Sequence, residues 1–135
     1  MYETMAVWET EPAFAAESDL MADFANVWQA ADKIVYSTTL PATSTTNTRL
    51  ERGFDPDSVR ELKASADSDL TVGGPTLAVH AFHAGLVDEC QLFVYPLLVG
   101  EGKPAFPRDA SIQLELLEER RFGNGVVYVR YRVAS

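Results

Sequence analysis

The sequence has one cysteine, and its 11 basic residues are outnumbered by 20 acidic ones. A lone cysteine, Cys90, excludes an internal disulfide and suits a reducing cytoplasm. The net charge of −9 argues against general binding to nucleic acid or anionic membranes, because no basic block offsets the repulsion. Apolar runs are too short to span a membrane, and no signal peptide is recognisable. We therefore expect a cytoplasmic protein that acts on a small molecule.

Side chains for acid–base or nucleophilic chemistry are also scarce. His80 and His83 lie three residues apart, but a zinc site needs a third ligand and nothing nearby supplies one. No serine has the context of a nucleophile elbow, and the alternation around Cys90 favours a buried, inert thiol. This scarcity fits a hydride-transfer enzyme, in which a nicotinamide cofactor supplies the reactive atom. The sequence identifies no catalytic residue.

The 135 residues are enough for one domain with a proper core, so we expect a single domain over residues 1–135. Helical spacing and capping residues, with Ser18 or Asp19 before the second helix and Gly85 after the last, predict helices near residues 1–9, 20–31, 56–63 and 76–84. Runs of β-branched and aromatic residues predict strands over residues 33–40, 48–50, 69–72, 89–99, 112–122 and 126–133. This order predicts a mixed α/β sheet with antiparallel strands at its end.

The chain is organised around a strand, a double glycine and a helix start at residues 69–78. Gly73 and Gly74 let the backbone come close to a ligand, and the amide groups of Thr76 and Leu77 would meet a phosphate at the helix start. We interpret these residues as a site for the pyrophosphate of a dinucleotide. A purely structural turn uses the same residue types and is the alternative.

Ser37, Thr38 and Thr39 end the predicted strand over residues 33–40. Open α/β sheets bind ligands at such strand ends, so these hydroxyls are candidates for contact with an adenosine ribose or its 2′-phosphate. The alternative is that they simply end a strand.

Several segments together resemble the dihydrofolate-reductase-like superfamily, typified by the C-terminal reductase domain of riboflavin-biosynthesis deaminase-reductases. They occur in the expected order over essentially the whole chain: Tyr36-Ser-Thr-Thr-Leu40, Asn47-Thr-Arg-Leu50, Val72-Gly-Gly-Pro-Thr-Leu-Ala78, Ala84-Gly-Leu-Val-Asp-Glu89 and Tyr95-Pro-Leu-Leu-Val-Gly-Glu-Gly-Lys-Pro-Ala-Phe106.

The resemblance implies a mostly parallel central sheet flanked by helices, with antiparallel C-terminal strands. It implies NADPH as the cofactor, with NADH possible, and reduction of a pterin-like or ribosylamino-pyrimidine compound. The double glycine would hold the cofactor phosphate and residues 37–39 the adenosine phosphate. A non-catalytic relative that keeps the fold for nucleotide binding or homo-oligomer assembly is the alternative.

Two departures from the family pattern carry expectations. The family's first strand has no counterpart, so we expect an N-terminally truncated domain. In the family that strand lies between the strand ending at Val72 and the one starting near Cys90, and unpaired edges recruit partners. We therefore expect a homodimer or an altered sheet centre. Thr38 stands where family members often have Arg or Lys, which leaves the choice between NADPH and NADH open.

Overall fold

The computed structural model describes residues 1–134 and divides into two compact units, Met1–Asp55 and Pro56–Ser135. The prediction of a single domain over residues 1–135 stays a prediction. Among the described residues, no helix is long and apolar enough to cross a membrane.

The first unit contains three helices and two strands. Ser18 accepts a hydrogen bond from the Met21 N–H at 3.1 Å, so Ser18 rather than Asp19 caps the third helix. Pro12 ends the first helix as expected and opens a short second one. The elements are α1 (Tyr2–Thr10), α2 (Pro12–Ala15), α3 (Asp19–Ala30), β1 (Lys33–Tyr36) and β2 (Thr48–Glu51).

An aromatic cluster holds the three helices together. The Trp8 ring centroid lies 4.7 Å from that of Phe24 in α3 and 6.0 Å from that of Phe14 in α2. Ala6 and Ala25 are buried, and their small side chains allow the helices to approach closely. The core of this unit therefore combines one tryptophan with alanines.

The strands β1 and β2 pair in parallel, from Lys33 opposite Thr48 to Tyr36 opposite Glu51. The predicted strand over residues 33–40 is shorter than expected, because Ser37 Oγ accepts the Leu40 N–H at 3.0 Å and turns the chain. No helix occurs in the connection over residues 37–47.

Helix α1 fixes the far part of that connection. The Tyr2 hydroxyl oxygen accepts the Ser44 N–H at 2.8 Å. The Glu9 carboxylate accepts both the N–H and the hydroxyl of Thr46, at 3.0 and 2.7 Å. The loop that begins with the candidate residues 37–39 is thus anchored at its other end.

The second unit contains two helices and a three-stranded antiparallel sheet with the order β3-β5-β4. Pairing runs from Glu89 opposite Arg132 and from Leu114 opposite Val133, with a register shift between Leu116 and Glu118. The elements are α4 (Pro56–Ser65), α5 (Pro75–His83), β3 (Glu89–Val94), β4 (Leu114–Arg121) and β5 (Val127–Val133).

Gly85 ends α5 as expected. Its φ is 66°, and its N–H donates to the Phe82 carbonyl at 3.0 Å while the Leu86 N–H donates to the Ala81 carbonyl at 2.9 Å. This pair of bonds is a Schellman motif, which satisfies the last carbonyls of the helix. Leu86 and Ala81 are both buried, so the motif also directs the chain into the core.

Two strand predictions are wrong. Residues 69–72 form no strand, because their backbone has no ladder partner in the described chain, and Leu70 and Val72 stay exposed. The strand predicted over residues 89–99 ends at Val94, two residues before Pro96, which cannot donate to a ladder. Leu98, the last but one residue of that predicted strand, is 98% exposed.

The predicted fold class is confirmed: the chain is mixed α/β, with a parallel sheet and antiparallel C-terminal strands. The strands form two sheets, the parallel pair in the first unit and the antiparallel three in the second. Within the described residues, β3 pairs only with β5, so its outer edge is unpaired.

Candidate functional site

The start of α5 presents backbone donors that have no acceptor inside the helix. Gly74 is the N-cap, Pro75 is the first helical residue, and the Ala78 N–H closes the first helical bond to the Gly74 carbonyl at 3.0 Å. The N–H groups of Thr76 and Leu77 are therefore left to an outside acceptor. With the positive end of the helix dipole, they favour an anion.

The two glycines at this helix start have different reasons to be glycine. Gly74 has a φ of 93°, a backbone conformation that is strained for any residue with a side chain. Gly73 has no such constraint, and a Cβ atom added there would meet no described atom within 4 Å. The chain's own packing therefore does not require glycine at position 73, whereas the close approach of a ligand would.

Lys103 adds a positive charge at the same place. Its Nζ lies 3.5 Å from the Thr76 hydroxyl oxygen, a long contact that leaves the ammonium free to move towards a ligand. The loop that carries Lys103 is packed on α5, since the Phe106 and Phe82 ring centroids lie 6.0 Å apart. The sequence analysis used this loop only as part of the family resemblance and missed the lysine. The available signal was a cation that follows Gly100 and Gly102 and precedes a proline.

Ser37, Thr38 and Thr39 come together in one turn at the carboxyl ends of the parallel strands. The Ser37 N–H donates to the Glu51 carbonyl at 3.0 Å, which fixes the turn beside the end of β2. Ser37 Oγ accepts the Thr39 and Leu40 N–H groups at 3.3 and 3.0 Å, so its hydroxyl proton can still be donated. Thr38 and Thr39 are exposed.

Arg52 also lies at this turn and was missed from the sequence. Its Nη1 donates to the carbonyl oxygens of Leu40 and Ser37 at 2.5 and 3.2 Å, and its Nη2 lies 3.4 Å from the Pro41 carbonyl oxygen. Arg52 directly follows β2, and the carboxyl ends of parallel strands share one edge. The shared edge of the two strands could therefore have indicated from the sequence that Arg52 lies beside Ser37.

The predicted cofactor residues thus form two local groups. Ser37, Thr38 and Thr39 lie in the first unit; Gly73, Gly74, Thr76 and Leu77 lie in the second. We call them the β1-end turn and the α5 start.

Other reactive side chains have ordinary surroundings. His83 Nε2 lies 3.1 Å from an Asp109 carboxylate oxygen at the surface. Burial raises the pKa of the half-buried Cys90 thiol, which supports an inert role. The described part of the chain has no group of three side chains that could hold a metal ion.

Comparison with known proteins places both groups in a family context. A family model described as the RibD C-terminal domain matches residues 14–128. The chain belongs to this family. The match includes the β1-end turn and the α5 start, and members of this RibD C-terminal family are reductase-like.

Individual relatives agree with the RibD C-terminal assignment. The uncharacterized protein YyaP of Bacillus subtilis (strain 168) is 36% identical over 77 residues, which are 56% of this chain and 41% of YyaP. The chain thus matches less than half the length of that relative. The crystal structure of a candidate riboflavin biosynthesis protein from Shewanella sp. PV-4 superposes with a TM-score of 0.67 at 17% identity, over 94% of this chain and 80% of the other. At that identity it supports the fold alone.

Proposed function

We propose that the protein is an NAD(P)H-dependent reductase of a pterin-like or ribosylamino-pyrimidine small molecule. The α5 start carries this proposal. Two backbone N–H groups, an open position at Gly73 and the ammonium of Lys103 converge there, which is the donor set that a pyrophosphate requires. Membership of the riboflavin-biosynthesis-like reductase family supports the reaction class.

The donor chemistry of both groups fits a nicotinamide dinucleotide. The amides of Thr76 and Leu77, with Lys103, suit a pyrophosphate. Taken by itself, the β1-end turn offers the hydroxyl groups that suit an adenosine ribose or its 2′-phosphate. When bound, the dihydronicotinamide supplies a hydride to the substrate. The chain's own contribution in this proposal is to bind and orient the cofactor.

Titration of the protein with NADPH and with NADH, followed by nicotinamide fluorescence, tests this function. Gly73→Val should remove binding of both while circular dichroism stays unchanged, because the new side chain would occupy the space open to the phosphate, and its Cβ meets no described atom within 4 Å. Gly123→Val is the matched control, since a Cβ at Gly123 also meets no described atom within 4 Å and Gly123 lies in the hairpin turn between β4 and β5.

Three results would contradict the proposal. Binding of neither dinucleotide at millimolar concentration would exclude the reductase. Unchanged binding by Gly73→Val would remove the phosphate role of the α5 start. Unfolding of Gly73→Val would favour the purely structural turn.

The second candidate function is a non-catalytic relative that keeps the fold for nucleotide binding or homodimer assembly. The unpaired outer edge of β3 favours it, because Phe93 and Val94 there are 56% and 54% exposed and exposed strand edges recruit partners. The Val133 N–H bonds to the Asp88 carbonyl, so by alternation the backbone groups of Gln91 point away from β5.

Light scattering across a range of protein concentrations tests the homodimer. The wild type should be dimeric, and Gln91→Pro should shift it towards monomer, because the substitution removes an outward N–H and leaves the β5 ladder intact. Gly123→Val again serves as the control. A monomer at every concentration would contradict assembly through β3, whereas dimerisation without dinucleotide binding would favour the non-catalytic relative.

A further inference from the structure

Arg52 and the β1-end turn follow neighbouring strand ends. β1 and β2 are parallel, and their last pair is Tyr36 opposite Glu51. Ser37 and Arg52 are the next residues on each strand, and the Ser37 N–H bonds to the Glu51 carbonyl at 3.0 Å. Arg52 is therefore placed beside the hydroxyl groups of the turn by the register of the sheet.

The guanidinium of Arg52 is fixed by neutral partners only. Its three contacts are to the carbonyl oxygens of Ser37, Leu40 and Pro41, and no carboxylate of the described residues lies within ion-pairing distance. Arg49 differs, since its Nε lies 2.9 Å from a Glu51 carboxylate oxygen. In a chain of net charge −9, Arg52 thus keeps an uncompensated positive charge on an exposed turn.

The contacts of Arg52 leave part of the guanidinium for a ligand. Arginine has five N–H donors in a planar fork. Two donors on Nη1 and one on Nη2 meet the three carbonyls, so the Nε hydrogen and a second Nη2 hydrogen remain. Nε and Nη2 form one edge of the fork, and such an edge can bind a phosphate through two parallel hydrogen bonds.

A positive charge at the β1-end turn would determine which of NADH and NADPH binds more tightly there. Serine and threonine hydroxyls bond to a ribose hydroxyl or to a phosphate, so Ser37, Thr38 and Thr39 alone discriminate weakly between NADH and NADPH. A guanidinium favours the charged 2′-phosphate. Thr38 offers no cation, and Arg52 is held against the same turn.

We infer that Arg52, reaching from the end of the neighbouring strand, is the residue that selects NADPH over NADH by pairing with the 2′-phosphate. This inference rests on the proposed binding of a nicotinamide dinucleotide. It assigns the positive charge of the adenosine subsite to the residue that follows β2 rather than to the β1-end turn itself.

Dissociation constants for NADPH and NADH, measured by fluorescence titration without any substrate, test the inference. Arg52→Gln keeps an amide that can bond to the carbonyls but loses the charge. We expect NADPH to bind about 10- to 100-fold more weakly, the usual effect of losing a hydrogen bond to a charged group, while NADH changes less than about twofold, since it has no charge for Arg52 to meet.

Matched variants separate charge at this position from charge in general. Arg49→Gln removes one positive charge from the same unit at an exposed, paired residue and should leave the NADPH-to-NADH ratio unchanged. Adding Thr38→Arg to Arg52→Gln should restore the preference for NADPH. The preference of the wild type should also decrease as ionic strength rises.

The outcomes distinguish this inference from the proposed function. If Arg52→Gln weakens the binding of NADPH and of NADH equally, Arg52 only stabilises the loop through its carbonyl contacts. The inference is then wrong, although the reductase proposal stands. An unchanged ratio in Arg52→Gln also overturns it. A wild type that binds neither dinucleotide overturns both. Should Arg52→Gln fail to fold, Arg52→Lys and the salt dependence of the wild type decide. If Arg52 only stabilises the loop, the ratio of the NADPH and NADH dissociation constants should not depend on salt.

Discussion

The ammonium group of Lys103 lies 3.5 Å from the hydroxyl oxygen of Thr76, at the first turn of α5. In sequence, the rest of α5 and all of β3 lie between the two residues. The packing of Phe106 on Phe82 brings them together. A loop cation and a helix start therefore share one place, which neither segment alone would indicate.

Lys103→Gln should weaken the binding of NADPH and of NADH to a similar degree, by about 5- to 10-fold. The reason is that the pyrophosphate that Lys103 would contact is common to both. This distinguishes it from Arg52→Gln, which should affect NADPH alone. Fluorescence titration measures both constants. Arg108→Gln serves as a control in the same part of the unit, and a change confined to one dinucleotide would contradict the assignment of Lys103 to the pyrophosphate.

Gly125→Ala should lower the free energy of unfolding by about 1–3 kcal/mol. Gly125 has a φ of 88°, and a Cβ there would lie 3.2 Å from Pro96 Cγ. Gly123→Ala, in the same turn, has neither problem and should change stability by less than about 0.5 kcal/mol. Urea unfolding of the two variants measures the difference, and equal stabilities would show that this turn tolerates a side chain.

Trp8→Ala should destabilise the protein by about 2–4 kcal/mol, since it removes the ring that contacts both Phe14 and Phe24. This loss of stability is smaller than for a fully buried tryptophan, because Trp8 is only half-buried. Leu20→Ala, at a side chain that is 78% exposed, is the control in the same unit. Thermal unfolding checks both, and a similar loss in the two variants would argue against an aromatic core there.

Stability should fall in alkaline solution partly through Cys90. Burial raises the pKa of its thiol, so the folded state keeps the proton to higher pH than the unfolded state. Its contribution is complete below the ordinary thiol pKa of about 8.5 and is lost as pH rises through the folded value.

Urea unfolding at pH 7.5 and pH 10 measures this effect. The wild type should lose more stability between the two than Cys90→Ala does. Tyr36, whose pKa is raised by burial and by Glu51, acts in the same direction in both proteins, so the difference belongs to Cys90. Equal losses would contradict the role of the thiol.

Features set by local chemistry could be predicted from the sequence. Ser18 caps α3, Gly85 ends α5 and Pro56 opens α4, because each acts through its own backbone or an adjacent N–H. The order of motifs was specific enough to predict the fold class and the family. The residues of the α5 start could likewise be identified, because the turn and the helix that contain them are adjacent in the sequence.

Features that depend on a partner elsewhere in the chain could not be predicted. Leu70 and Val72 have strand-forming side chains, but a strand requires a ladder, and none forms there. Arg52 and Lys103 were missed because each reaches its group from another element. The position of Arg52 depends on the parallel register of β1 and β2, and that of Lys103 on the packing of one aromatic pair. Local spacing in the sequence indicates neither.

The central position of β5 in its sheet sets the order in which that sheet can be completed during synthesis. In the described chain, β3 pairs only with β5, and β5 follows β3 by more than thirty residues of sequence. On the ribosome, the apolar residues of β3 must therefore wait until residues 127–133 have emerged from the exit tunnel. During that interval the nascent chain exposes two unpaired edges of β3 rather than one, and it is then that a chaperone or a neighbouring nascent chain has the best access to it.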